Sequence, residues 1–215
     1  MQAQRSPLKH ERLLQLKNAG LNTVDFLWYP PLAMNQKEIQ EFFEKHRRIS
    51  FRQYADDPRV GALPEIFDVR DLDELLNFVK ANRRANSFMI VNQGVDLDED
   101  IPRGCFRWFD LYAFGIEFFI GPGNPRKIEK KTMHELVQIY GDTEYGFNLR
   151  KCVNWDGNYS NLFKELVGKT RSFLTDVRPI IIEFEWHASS LGWKPDNWLF
   201  WEWRIENLPA EYSPA

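Results

Sequence analysis

Four charged side chains near the end of the chain have the types and spacing of a binding face. The segments Ile182-Glu-Phe-Glu-Trp186 and Phe200-Trp-Glu-Trp-Arg204 alternate charged residues with large apolar ones. Successive side chains of a β-strand point to opposite faces. Glu183 and Glu185 therefore share one face, and Glu202 and Arg204 share one face of the next strand. Carboxylates brought this close repel unless a cation lies between them, and Mg2+ takes such oxygens beside phosphate. The plainer alternative is a solvated strand face laced by cross-strand ion pairs.

This hairpin resembles the end of the ATP-grasp nucleotide-binding domain of the phosphoenolpyruvate synthase and pyruvate phosphate dikinase family. That family has an Asp-Ile-Glu-Trp strand, a turn, and a strand ending Leu-Gln-x-Arg-Pro. Glu183-Phe-Glu-Trp186 is similar to the first and Trp201-Glu-Trp-Arg204 to the second, with Ile205 in place of proline. The resemblance implies that Glu185 and Glu202 hold Mg2+ and that Arg204 belongs to the nucleotide site. Upstream, the stretch from Lys9 through Ala19-Gly20 to Val24 resembles the family's opening and puts Lys9 on its phosphate-contacting lysine. Ser50-Phe-Arg-Gln53 resembles a Val-Arg-Ser-Ser motif, with Arg52 carried over to phosphate and both serines lost. Ser87-Phe-Met-Ile-Val-Asn-Gln93 is similar to the strand that lies along the adenine. Met89 and Val91, with Ile116, would then form an apolar slot, and Gln93 would stand beside the base edge. The implied cofactors are ATP and Mg2+.

The departures bear on function. The chain is far shorter than the family's nucleotide-binding domain, and no Gly- and Ser-rich phosphate loop is recognisable. It has neither a histidine-bearing swivelling domain nor a barrel domain, so it cannot run the synthase or dikinase reaction alone. One reading is a reduced ATP-grasp protein, an ATP-dependent phosphotransferase or ligase with an unknown acceptor substrate. A second is a non-catalytic relative serving nucleotide sensing or assembly. A third is a single-stranded nucleic-acid binder that stacks bases on exposed Trp and Phe. Nucleotide binding on the first two readings is expected to be weak and Mg2+-dependent.

Composition narrows these classes. Of 215 residues, 43% are hydrophobic and 27% charged, which allows a packed core. Aromatics reach 15%, with eight Trp and seventeen Phe, and most alternate in strand-like runs that read as core. A net charge of −3 and a pI near 5.9 argue against a surface built for nucleic acid. No apolar run approaches the roughly 18 residues needed to cross a bilayer. Residues 1–7 lack the apolar stretch of a signal peptide. Two cysteines, Cys105 and Cys152, make no disulfide framework. The expectation is a cytoplasmic protein away from the membrane, with a protein partner left open.

The elements that must position these residues follow from periodicity and punctuation. A helix through Leu13, Leu14 and Leu16 ends at Gly20, and a strand over Thr23–Tyr29 stops at Pro30-Pro31. Asn35 with Glu38, and Asp71 with Glu74, cap helices whose stripes are Ile39, Phe42, Phe43 and Leu72, Leu75, Leu76, Val79. Strands are predicted over Ile49–Tyr54 and Ser87–Asn92, and loops over Asp56–Pro64 and Asp96–Pro102. Gly104–Leu111 and Tyr112–Ile120 read as paired strands, followed by a turn at Gly121–Pro125. Thr132 with Glu135 predicts a helix ending near Gly141, and Asp142–Gly157 a connecting segment. A helix over Ser160–Thr175 precedes a hairpin of Ile180–Trp186 and Trp198–Ile205, closed by a turn at Gly192–Asn197. Strands and helices mix without a βαβ rhythm, which predicts an α+β fold. The family resemblance makes it ATP-grasp-like, a mainly antiparallel sheet with flanking helices. One such domain over residues 1–215 is expected, with room for two subdomains joined near 142–157.

Overall fold

The computed structural model describes residues 9–55, 63–82, 84, 87–93, 101–122, 135–155, 157, 160–171, 180–186 and 198–205. They divide into two units, each built on its own antiparallel sheet.

One unit comprises residues 24–97 and the residues that open helix α1 (Lys9–Asn18). Its elements are β1 (Phe26–Tyr29), α2 (Gln36–His46), β2 (Ile49–Tyr54), β3 (Glu65–Val69), α3 (Leu72–Asn82) and β4 (Phe88–Gln93). The strands lie in the order β1-β4-β2-β3. Helix α2 starts where Asn35 accepts from the backbone N–H groups of Lys37 and Glu38. Glu38 does not close a capping box with Asn35; its carboxylate instead accepts from the Tyr29 hydroxyl at 2.9 Å. Asp71 caps α3 through the N–H of Asp73. Ile39 and Phe42 of α2 and Leu75 and Val79 of α3 pack against Ile49, Phe51, Met89 and Val91 of the sheet.

The other unit contains residues 11–23 and everything from residue 98 onward. Its strands are β5 (Ile101–Trp108), β6 (Ala113–Gly121), β7 (Val137–Asp142), β8 (Asn148–Val153), β9 (Ile180–Trp186) and β10 (Trp198–Ile205). They lie in the order β10-β9-β5-β6-β7-β8. Helix α4 (Ser160–Arg171) supplies Phe163, Leu166 and Val167 to a core with Phe106, Trp108, Ile116, Ile182, Phe184, Trp198 and Phe200. Leu16 and Leu21 join that core. Helix α1 ends as expected at Gly20, at φ 80°, with the Leu21 N–H reaching back to the Leu16 carbonyl.

The α+β architecture stands, with mainly antiparallel sheets and flanking helices, and the terminal hairpin occupies the residues expected of it. Two expectations fail. The segment ending at Gly141 is a strand, not a helix: Val137 and Ile139 alternate with Gln138 and Tyr140 along β6. The segment 142–157 is not a connection, because it holds β8. That strand is polar because it is the sheet's edge, with Arg150, Lys151 and Cys152 exposed. Ile101 and Pro102, expected in a loop, open β5. The capping Thr132, most of the turn at 121–125, and the turn at 192–197 lie outside the described residues.

Gly104 is where β5 and β6 meet most closely. A Cβ there would fall 1.9 Å from the Glu117 carbonyl oxygen and 2.6 Å from the Phe118 Cα, both rigid backbone. Gly104→Ala is expected to cost about 3 kcal/mol or more by urea denaturation. Gly168→Ala is the control: nothing lies within 4 Å of its Cβ, and a helical alanine should add about 0.5–1 kcal/mol.

Candidate functional site

The six-stranded sheet has one apolar face and one charged face, because its strands alternate. Ile180, Ile182 and Phe184 of β9 enter the core beneath α4. Glu183 and Glu185 take the opposite face. Register then fixes their neighbours. Glu202 of β10, Glu183 of β9, Cys105 of β5, Glu117 of β6 and Gln138 of β7 form one row across the sheet. Arg103 of β5 stands directly opposite Glu185.

Each of these carboxylates is met by a guanidinium. Arg103 Nε donates to Glu185 Oε1 at 2.8 Å, and both side chains are wholly buried, at 0% exposure. Arg103 Nη1 also donates to the Gly121 carbonyl at 2.5 Å. Arg204 Nη1 donates to Glu183 Oε1 at 2.6 Å. Arg107 pairs with Glu117, which also accepts from Gln138 Nε2 at 2.9 Å. Arg12 of α1 lies 3.4 Å from Glu202 and donates to the Trp203 carbonyl. A buried carboxylate without a counter-charge is costly, so these partners are a condition of folding the face.

The charges show in neighbouring groups. Burial alone would lower the Arg204 pKa, but the charge and hydrogen bond of Glu183 outweigh it and hold the guanidinium above its ordinary value. The Cys105 thiol is pushed up to about 12, first by burial and then by the Glu183 carboxylate. It is a neutral, inert group rather than a nucleophile.

The expected site residues divide between the two units. Glu185, Glu202 and Arg204 share the charged face of the six-stranded sheet. Lys9, Arg52, Met89, Val91 and Gln93 belong to the other unit. Arg52 is buried on β2 and paired with Glu65, directly opposite on β3, at 3.1 Å. Met89 and Val91 lie on the other side of that sheet from Arg52, fully buried against α2 and α3. Ile116 is core beneath α4 in the other unit. Register shows the sidedness of the four-stranded sheet: Arg52 is opposite Ile90, whereas Phe51 is opposite Val91 and Gln53 opposite Met89. Gln93 is half-buried, its N–H donating to the Asp25 carbonyl at 2.8 Å. Lys9 is the half-buried first residue of α1.

An arginine already stands at each of the two expected metal acids: Arg103 Nε lies 2.8 Å from Glu185 Oε1, and Arg12 Nη1 lies 3.4 Å from Glu202 Oε1. Among the described residues no three His, Cys, Asp or Glu side chains form a metal cage of their own. Four of the tryptophans, Trp108, Trp198, Trp201 and Trp203, are buried in packing, whereas Trp28 is exposed and stacks on His10.

Sequence reading missed Arg12, Arg103, Arg107 and Glu117. A signal for three of them exists. Arg103-Gly-Cys-Phe-Arg107 places two arginines at even spacing in an otherwise apolar strand, and Glu117 interrupts a run of aromatic and aliphatic residues in the next.

No family model matches the sequence, and no curated protein matches it. Solved structures do match the fold. D-cycloserine synthetase DcsG superposes with a TM-score of 0.51 at 8% identity, over 92% of this chain and 62% of that one. A D-alanine–D-alanine ligase from Bacillus anthracis, complexed with ATP, gives 0.48 at 9% identity, over 92% and 52%. The ATP-grasp ligase PsnB, complexed with a minimal precursor, gives 0.46 at 11%, over 92% and 52%. This chain thus spans less than two thirds of the length of each. The likeness supports the ATP-grasp fold and gives no support to the narrower resemblance to phosphoenolpyruvate synthase and pyruvate phosphate dikinase. Among the described residues no helix is long and apolar enough to cross a membrane.

Two outcomes follow from the charged face. Arg103→Met is expected to cost about 3–5 kcal/mol in urea denaturation, and the double change Arg103→Met with Glu185→Leu to recover most of it. A thiol-reactive dye should label Cys152 quickly in the folded chain and Cys105 only on unfolding, because Cys152 is exposed and Cys105 buried.

Proposed function

We propose that this chain is an ATP-binding protein built on the ATP-grasp fold. The observation that carries the reading is the fold likeness to a synthetase over 92% of the chain. The arginines on the charged face of the six-stranded sheet add to it. Phosphate recognition needs fixed cations, and Arg204, 35% exposed, can donate to a phosphate oxygen while Glu183 orients it. The finer reading is an ATP-dependent ligase or phosphotransferase acting on an acceptor of unknown chemistry. Phosphoryl transfer asks a protein mainly for positioning and charge neutralisation.

A second reading, a nucleotide-sensing or assembly protein that does not turn ATP over, is favoured by one observation: Glu185, the residue aligned with a metal acid, is sealed beneath Arg103.

Thermal unfolding with ATP, ADP and AMP tests nucleotide binding. ATP at 100 times its Kd adds about 2.7 kcal/mol of stability, and a shift larger for ATP than for AMP is expected. No shift with any of the three, in a cooperatively unfolding protein, would refute the reading. Release of phosphate from ATP in the presence of pooled amino acids and carboxylic acids separates the ligase from the sensor. Steady release supports the first, and binding without release the second.

A further inference from the structure

We infer that the cation facing Glu185 on the charged sheet face is Arg103 rather than a divalent metal, and that nucleotide binding by this chain needs no Mg2+. The second clause rests on the nucleotide-binding reading above; the first stands without it.

The argument is one of charge and enclosure. The face holds the carboxylates of Glu117, Glu183, Glu185 and Glu202 and the guanidinium groups of Arg107, Arg204, Arg103 and Arg12. These charges cancel pair by pair, so no carboxylate of the face needs a metal to balance it. Mg2+ also demands near-octahedral oxygens at about 2.0–2.1 Å. To reach Glu185 Oε1 it must displace Arg103 Nε from 2.8 Å. The displaced guanidinium has nowhere solvated to go, since Arg103 is completely buried and also tied to the Gly121 carbonyl. The pair is set by the backbone as well: Arg103 and Glu185 are Cα partners in the β5–β9 register. Arginine suits the place better than lysine, because its planar fork serves a carboxylate and a carbonyl at once.

Mn2+ is the probe for the metal, followed as the free-ion electron paramagnetic resonance signal during titration with the full chain. The signal is expected to equal that of buffer alone. Mn2+ captured by the unaltered protein and released by Glu185→Gln would overturn the inference. Glu202→Gln serves the same purpose should the first variant not fold. Calorimetric titration of ATP is then run with Mg2+ and with a chelator. Kd values within about a factor of two support the inference; binding at least tenfold weaker in chelator overturns it. No ATP binding in either buffer, with Mn2+ still free, upholds the metal-free face and refutes the nucleotide reading.

Discussion

A carboxylate with no solvent exposure must bring its counter-charge into the fold with it. Glu185 meets that condition through Arg103, and strand register delivers the partner. The whole six-stranded sheet is organised around this requirement. Its apolar face is closed by α4 and the end of α1. Its other face is buried too, at Glu183, Cys105 and Phe119, yet must accommodate the polar half of every alternating strand. Pairing each carboxylate with an arginine is how a sheet buried on both sides can tolerate charge at all. The absence of a side chain at Gly104 belongs to the same economy: it lets β5 and β6 approach closely at the residue next to Arg103.

The terminal hairpin was readable because strict alternation over seven or eight residues leaves little choice of structure. The capped helices were readable for a similar local reason, Asn35 and Asp71 being followed by helical stripes. Where local signals conflict with tertiary pairing, pairing wins. Glu135 looked like part of a helix cap, yet Val137 to Asp142 adds a strand to β6. Edge strand β8 carries too few apolar residues to announce itself. β3 went unnoticed beside the Pro-bearing loop before it, and its role as Arg52's partner strand went with it.

The candidate site shows the same division. Which side chains share a face was legible from alternation, and Glu183, Glu185, Glu202 and Arg204 fall together as expected. Which counter-ion each acid takes was not legible. Arg103 and Glu185 are separated by 82 positions in the chain, and nothing local marks them as partners. Motif matching also overlooks sidedness: it put Arg52 and Met89 in one pocket, although adjacent strands carry them to opposite faces of their sheet. A fold shared with a synthetase therefore coexists here with a charged face whose acids are paired with arginines, and those are separate facts about the molecule.

The most direct test is an anomalous difference map from crystals grown with ATP and Mn2+. The account predicts no manganese peak at Glu185 or Glu202, and Arg103 Nε still near the 2.8 Å seen here from the Glu185 carboxylate. Manganese bound by both carboxylates, with Arg103 turned away, would contradict it.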